Sequence, residues 1–168
     1  MPPPIHSALT FDFRNEKSCL ELRRWRGSLR VLSRPLVFTN GVFDLLHRGH
    51  VSYLLEARNL GGALLVGVNS DASVKRLKGE SRPIQNEQDR TYILSMLRPC
   101  DAVVIFDEDT PFELISFVVP DILVKGGDYK IEDIVGRDIV EKNGGLVKTI
   151  PFVDGKSTTS IIEKMGKN

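Results

Sequence analysis

From residue 36 onward, short apolar runs alternate with stretches in which apolar residues return every three or four positions. The runs at 36–40, 63–69, 102–106, 122–125 and 146–151 are short and nearly continuous, the pattern of strands buried on both faces of a parallel sheet. Between them the spacing is helical. Val51, Leu54, Leu55 and Arg58 place a helix over 48–59, Tyr92, Ile93, Met96 and Leu97 place one over 87–97, and 132–143 reads as another. Gly61-Gly62, Pro120 and Gly144-Gly145 act as stops. Ser70 or Asp71 can cap a short helix toward Leu77, and Thr110 stands ready to cap a helix with Pro111 at its first position. Lys78 to Asn86, with Gly79 and Pro83, reads as a basic loop. Ser157-Thr158-Thr159 opens a last helix running to Lys164.

Alternation of strand and helix predicts an α/β fold: a Rossmann-like, doubly wound, five-stranded parallel sheet with helices on both faces. Residues 1–15 begin with three prolines and show no steady period, so they are expected to form a loosely docked arm. Leu20, Leu22, Trp25 and Leu29, set among five arginines, suggest a short helix within 16–34 whose arginines form a solvated face. The division is therefore 1–34 for the arm and docking helix and 35–168 for the main domain.

Composition narrows the classes. With 168 residues, 41% apolar and 27% charged, the chain is long enough for one real core. A net charge of +1 argues against a general nucleic-acid coat. Cys19 and Cys100 form no CxxC, so neither a disulfide framework nor a zinc knuckle is suggested. No run approaches the length of a membrane span and the N-terminus lacks a signal-peptide pattern, so a cytoplasmic protein is expected.

In an open parallel sheet, ligands bind beyond the carboxyl ends of the strands near the point where strand order reverses. The distinctive residues fall at those ends: Thr39–Asp44, Asn69, Lys125–Asp128 and 152–159. The first of these carries the sharpest signal. Thr39-Asn40-Gly41-Val42-Phe43-Asp44 leaves the strand, and His47-Arg48-Gly49-His50 opens the helix. A helix start offers backbone N–H groups and a positive dipole end to phosphate, and two imidazoles add donors. Gly49 leaves room for a nucleotide to approach the backbone. Two blander readings compete: a pair of helix-capping histidines, or a metal pair with Asp44 as the one further ligand in view.

Gly41 to His50 resembles the HxGH signature of the cytidylyltransferase-like nucleotidyltransferase superfamily, and Asp154 to Ser160 resembles its second signature, a Ser-Thr-Thr loop before the last helix. The likeness covers roughly residues 35–165. Within the superfamily the chain most resembles the bacterial heptose-1-phosphate adenylyltransferases, through Phe38–Gly41, Val68–Val74, Arg76–Gly79, Arg82-Pro83, Asp107–Pro111 and Leu123–Tyr129. Those enzymes are often the C-terminal half of a bifunctional protein whose other half is a sugar kinase; a stand-alone transferase is expected here. Glycerol-phosphate cytidylyltransferases usually have Arg-Thr where Phe152-Val153 stand and Gly-Asp-Asp where Gly126-Gly127-Asp128 stand. The Thr common in the first signature is Val42 here, so a hydroxyl contact to the nucleotide is lost or replaced by backbone.

The resemblance implies transfer of AMP from ATP to D-glycero-D-manno-heptose 1-phosphate, giving ADP-heptose and pyrophosphate. His47, His50 and Lys78 are the implied catalytic donors. Thr39, Asn40, Gly41, Val42, Phe43, Gly49, Lys125, Gly126, Gly127, Val153, Ser157, Thr158 and Thr159 are the implied nucleotide-binding residues, with adenine against Gly126-Gly127. Asp44, Asn69, Lys78, Arg82 and Asp128 are the implied substrate contacts, and Arg90 is read as a structural ion pair. Mg²⁺ is expected to arrive with ATP, bridging its phosphates rather than sitting in a protein cage. No nucleic acid or membrane partner is expected, and relatives suggest a homodimer or higher oligomer. The alternatives are a cytidylyltransferase acting on glycerol phosphate or an amino-alcohol phosphate, and a non-catalytic nucleotide-binding regulator on the same fold.

Overall fold

The computed structural model describes residues 7–127 and 129–151. The described strands are β1 (Leu9–Asp12), β2 (Leu36–Gly41), β3 (Ala63–Asn69), β4 (Ala102–Phe106), β5 (Ile122–Gly126) and β6 (Leu146–Ile150). The helices are α1 (Glu16–Val31), α2 (Arg48–Arg58), α3 (Asp71–Lys78), α4 (Glu87–Ser95), α5 (Phe112–Val118) and α6 (Arg137–Lys142). The strands form one sheet in the order β1-β4-β3-β2-β5-β6, every neighbouring pair parallel. The reversal of order falls between β2 and β5, so the C-terminal ends of those strands flank a crevice.

Period-two alternation sorts the strands' side chains into two cores. Phe38, Leu65, Val104 and Leu123 face one layer with Leu22 and Leu29 of α1, Leu114 and Ile115 of α5 and Val140 of α6. Val37, Leu64, Val66, Val103 and Val124 face the other, with Tyr53, Leu54 and Ala57 of α2 and Leu94 of α4. Both faces are covered, which is why β3 and β4 read as unbroken apolar runs: every one of their residues is buried.

The expected class and its five strands are present, but the sheet has a sixth strand. Residues 9–12, expected in a loose arm, run along the outer edge of β4. Their signal was weak because only Phe11 of the four is buried. The helix that follows is longer than expected: α1 has 16 residues, started by Asn15, whose side chain accepts from the Ser18 N–H. Its arginines are not all solvated. Arg26 is buried and donates to the carbonyls of Val118 and Val119, pinning α1 to the end of α5.

Two local expectations change. Pro111 itself takes the N-cap position of α5 and no side chain caps it, so Thr110 is released from that role. The helix expected over 132–143 is a 3-10 turn at Ile131–Asp133 followed by α6, divided at Gly136, whose φ of +85° a β-carbon would oppose.

Candidate active site

The β2–α2 junction sets the geometry. His47 is the N-cap of α2, and its Nδ1 accepts the Gly49 N–H at 3.1 Å. The His50 Nδ1 accepts the His47 N–H at 3.4 Å, completing a reciprocal capping box made of two imidazoles. A neutral imidazole whose Nδ1 accepts carries its proton on Nε2, so both rings become Nε2–H donors of fixed tautomer. Capping uses the Nδ1 edge of each ring, so it does not compete with donation from Nε2. The cost is that the Gly49 and His47 amides are consumed, so donation at this helix start passes from backbone to imidazole.

The rings lie 4.0 Å apart between centroids, and the Phe43 ring meets His50 edge-on at 5.6 Å. Phe43 holds a positive φ of 50°, an unfavourable conformation for a bulky residue, kept in place by its burial. Burial pushes the His50 pKa down to about 4, with help from His47 and Lys78. His50 is therefore neutral at neutral pH in the protein alone.

A cavity of about 520 Å³ opens at the β2–β5 crevice. Its lining includes Asn40, Gly41, Val42, Phe43 and Asp44 from the end of β2, and His50 from α2. Asn69, Lys78 and Arg82 join from the β3 side, and Lys125 and Gly126 from β5. Of the other expected residues, Thr39 is buried beneath the cavity with its hydroxyl 2.5 Å from the Tyr53 hydroxyl. Gly49 and Gly127 are adjacent in sequence to lining residues but do not line it, and His47 does not line it either. Asp128, Val153, Ser157, Thr158 and Thr159 lie outside the described residues. Tyr53, Leu77, Asp109, Thr110, Tyr129 and Asp133 line the cavity without having been assigned to it. Leu77, Asp109, Thr110 and Tyr129 stand in runs that carry the family resemblance; Tyr53 and Asp133 gave no signal of their own.

Asp44 and Asn69, expected at substrate, are occupied by protein. The buried Asp44 carboxylate accepts from Arg82 at 2.7 Å and from the Ile84 and Gln85 amides at 2.9 Å. Burial alone would raise its pKa; these bonds outweigh burial and hold it below the usual carboxylate value. The Asn69 side chain donates to the Ser73 hydroxyl at 3.0 Å. Arg90, fully enclosed, donates to the carbonyls of Val42, Gln85 and Asn69 and pairs with Asp71 at 2.8 Å. Asp44 and Arg90 together clasp the 82–85 segment against the ends of β2 and β3, in keeping with the structural reading of Arg90.

Two lysines are placed differently. Lys78 ends α3, where Gly79 at φ +92° turns the chain away. Burial and the nearby Arg82 lower the Lys78 pKa, against a smaller opposing pull from Asp44. Lys125 touches the Asn40 side-chain oxygen at 3.1 Å and lies 5.8 Å from the centre of the Tyr129 ring; burial lowers its pKa. Neither lysine has a carboxylate within ion-pair distance among the described residues. Nor, among the described residues, does any group of three His, Cys, Asp or Glu side chains stand ready to hold a metal. One neutral imidazole, His50, and two ammoniums without carboxylate partners among the described residues line one crevice and suit an anionic ligand.

A family model described as cytidylyltransferase-like matches residues 38–164. "Bifunctional protein HldE" of Syntrophotalea carbinolica is 54% identical over 165 residues, covering 95% of this chain and 32% of the relative. The protein of the same name from Pelobacter propionicus is 62% identical over 136 residues, 81% of this chain and 28% of that one. The chain spans about a third of the length of the curated relatives it matches. Among solved structures, the lipopolysaccharide core biosynthesis protein from Thermoplasma volcanium GSS1 superposes with a TM-score of 0.59 at 32% identity, covering 73% of this chain and 99% of that one. A pantoate-beta-alanine ligase from Francisella tularensis shares the fold, with a TM-score of 0.60 at 14% identity over 96% of this chain and 77% of its own. No described helix is long and apolar enough to cross a membrane.

Proposed function

The chain belongs to the cytidylyltransferase-like family, and on that premise we propose that it transfers AMP from ATP to D-glycero-D-manno-heptose 1-phosphate, releasing pyrophosphate and forming ADP-heptose for the inner core of lipopolysaccharide. The observation that carries this reading is the crevice where His50, Lys78 and Lys125 meet without carboxylate partners among the described residues. The relatives named HldE, and the solved relative titled for lipopolysaccharide core biosynthesis, support the sugar-phosphate acceptor.

In this reaction a phosphate oxygen of the sugar attacks the α-phosphorus of ATP. One P–O bond forms to the acceptor and the bond to the bridging α–β oxygen breaks, leaving with pyrophosphate. The attacking oxygen is already anionic near neutral pH, so no general base is required. The protein's task is to position the two anions and to stabilise the charge that moves toward the leaving group. His47 and His50 serve as Nε2–H donors of preset tautomer. Lys78 neutralises phosphate from the end of α3, and Arg82 adds a second cation held by Asp44. Asn40 through Phe43, Gly49, Lys125, Gly126, Gly127, Val153, Ser157, Thr158 and Thr159 complete the nucleotide site in this reading, with Asn69 and Asp128 toward the substrate. No group of three metal-ligating side chains stands together among the described residues, so Mg²⁺ fits as an ion carried by the triphosphate. The cytoplasm, where ATP is plentiful, is the proposed compartment, and a homodimer or higher oligomer the proposed assembly.

Pyrophosphate release measured across ATP, CTP, GTP and UTP, each with heptose 1-phosphate, glycerol phosphate and phosphoethanolamine, tests the reading. ATP with heptose 1-phosphate is expected to be the fastest pair. CTP with glycerol phosphate or phosphoethanolamine as the fastest pair would overturn the substrates, and tight ATP binding without turnover would overturn catalysis.

A further inference from the structure

Charges of both signs line the cavity. Lys78 comes from α3, Arg82 with its partner Asp44 from the clasped segment and the end of β2, Lys125 from β5, Asp133 from the turn that follows it, and Asp109 with Thr110 from the β4–α5 loop. On the proposed reading the nucleotide spans β2 and β5, with its phosphates at α2 and its base on Gly126. In the strand order β4-β3-β2-β5, that leaves the cavity over β3 and β4 for the acceptor, bounded by Asn69, Leu77, Lys78, Asp109 and Thr110.

A phosphate does not sit against a carboxylate when cations stand across the same cavity: at about 4 Å, like charges near a protein surface repel by several kcal/mol. The acceptor's phosphate therefore goes to Lys78 and Arg82, and Asp109 meets the rest of the molecule. A carboxylate can bind either hydroxyls or an ammonium. Arg76 bears on the choice. Its Nε lies 2.7 Å from the Asp109 Oδ1, its Nη2 donates to the Asp107 carbonyl, and its Nη1 stands 3.8 Å from the Asp107 carboxylate. The guanidinium, shared between two carboxylates, orients Asp109 and leaves its other oxygen as an acceptor. An ammonium brought to that oxygen would stand beside a cation already in place; a hydroxyl would meet no such repulsion. Thr110, freed from capping α5, adds a hydroxyl that both donates and accepts.

We propose that Asp109 and Thr110 bind hydroxyl groups of the acceptor, with Arg76 as the positioning residue for Asp109, so that this site selects a polyhydroxylated sugar phosphate over an amino-alcohol phosphate. The inference rests on the nucleotidyltransferase reading given above.

The test is steady-state pyrophosphate release with heptose 1-phosphate and with phosphoethanolamine as acceptors. Asp109→Ala should raise the KM for heptose 1-phosphate ~10-fold, the scale of one lost hydrogen bond to a charged group, while the KM for ATP stays in place and reports an intact fold. Asp109→Asn keeps an accepting oxygen and should raise the acceptor KM less, about 3-fold, as should Thr110→Val. Arg76→Gln should raise the acceptor KM, and Arg76→Lys, which keeps the pair, should recover most of that loss. An unchanged acceptor KM in both Asp109→Ala and Thr110→Val would overturn the inference. So would a rise confined to the KM for ATP, or a wild-type protein that prefers phosphoethanolamine. Wild-type protein that releases pyrophosphate with no nucleotide and acceptor pair would remove the proposed function and this inference together; an active wild type with insensitive variants would remove the inference alone.

Discussion

Two kinds of cation surround the same strand ends. Arg90 and Arg82 are held: Arg90 reaches three carbonyls and Asp71, and Arg82 is locked onto buried Asp44. Lys78, exposed at the cavity, and Lys125, half-buried, have lowered pKa values and no carboxylate at ion-pair distance among the described residues. The difference separates construction from chemistry. Arginine's planar fork can satisfy several fixed carbonyls at once, whereas a lysine ammonium is a point charge that burial destabilises until an anion arrives. Arg90 builds the crevice, Arg82 both clasps and lines it, and the lysines are left for the ligand's phosphates.

The largest effect should come from breaking the built half. Arg90→Met leaves three carbonyls without their donor and should cost ~3–5 kcal/mol of stability, the range for removing one partner of a buried pair, measured by urea unfolding. A loss near zero would show that Arg90 is not the clasp. The waiting half should respond in rate and not in stability. His47→Ala, His50→Ala and Lys78→Met should each lower kcat by ~100-fold or more, the effect of removing a preorganised donor. For Lys78→Met the melting temperature should hold, because Lys78 makes no ion pair among the described residues. A destabilised Lys78→Met with normal kcat would erase the distinction. Lys125→Met should act more weakly, raising the KM for ATP ~10-fold, as for one charge-assisted hydrogen bond.

The smallest effect is in pH. The unfolded value of His50 is 6.5 and its folded value about 4. Between those limits the unfolded chain binds more protons, so this stabilisation is present above pH 6.5 and lost as pH falls toward 4. Melting temperatures across that window should fall less steeply for His50→Gln than for the wild type. Parallel slopes would show that His50 is not the buried neutral imidazole described here.

The sheet was legible because strands covered on both faces leave continuous apolar runs; β3 and β4 have the bounds read from the chain. Strand β1 was not, since an edge strand of four residues with one buried side chain leaves no run to read. The histidines were legible as a pair with a spacing. Their shared tautomer was not, because it follows from which backbone amide each Nδ1 accepts. Asp44 shows a different limit. Its place beside the histidines marks it for the site, but its partners lie some 40 residues away in sequence and become visible only when the 82–85 segment folds back. Ser157, Thr158 and Thr159 lie outside the described residues.

The central claim is that His50, Lys78 and Lys125 converge on one triphosphate. A crystal structure of the protein with α,β-methylene-ATP tests it most directly. The account predicts the α-phosphate within hydrogen-bond distance of the His50 Nε2, with Lys78 on the phosphates and the base against Gly126. A nucleotide bound elsewhere, or one touching neither His50 nor Lys78, would contradict it.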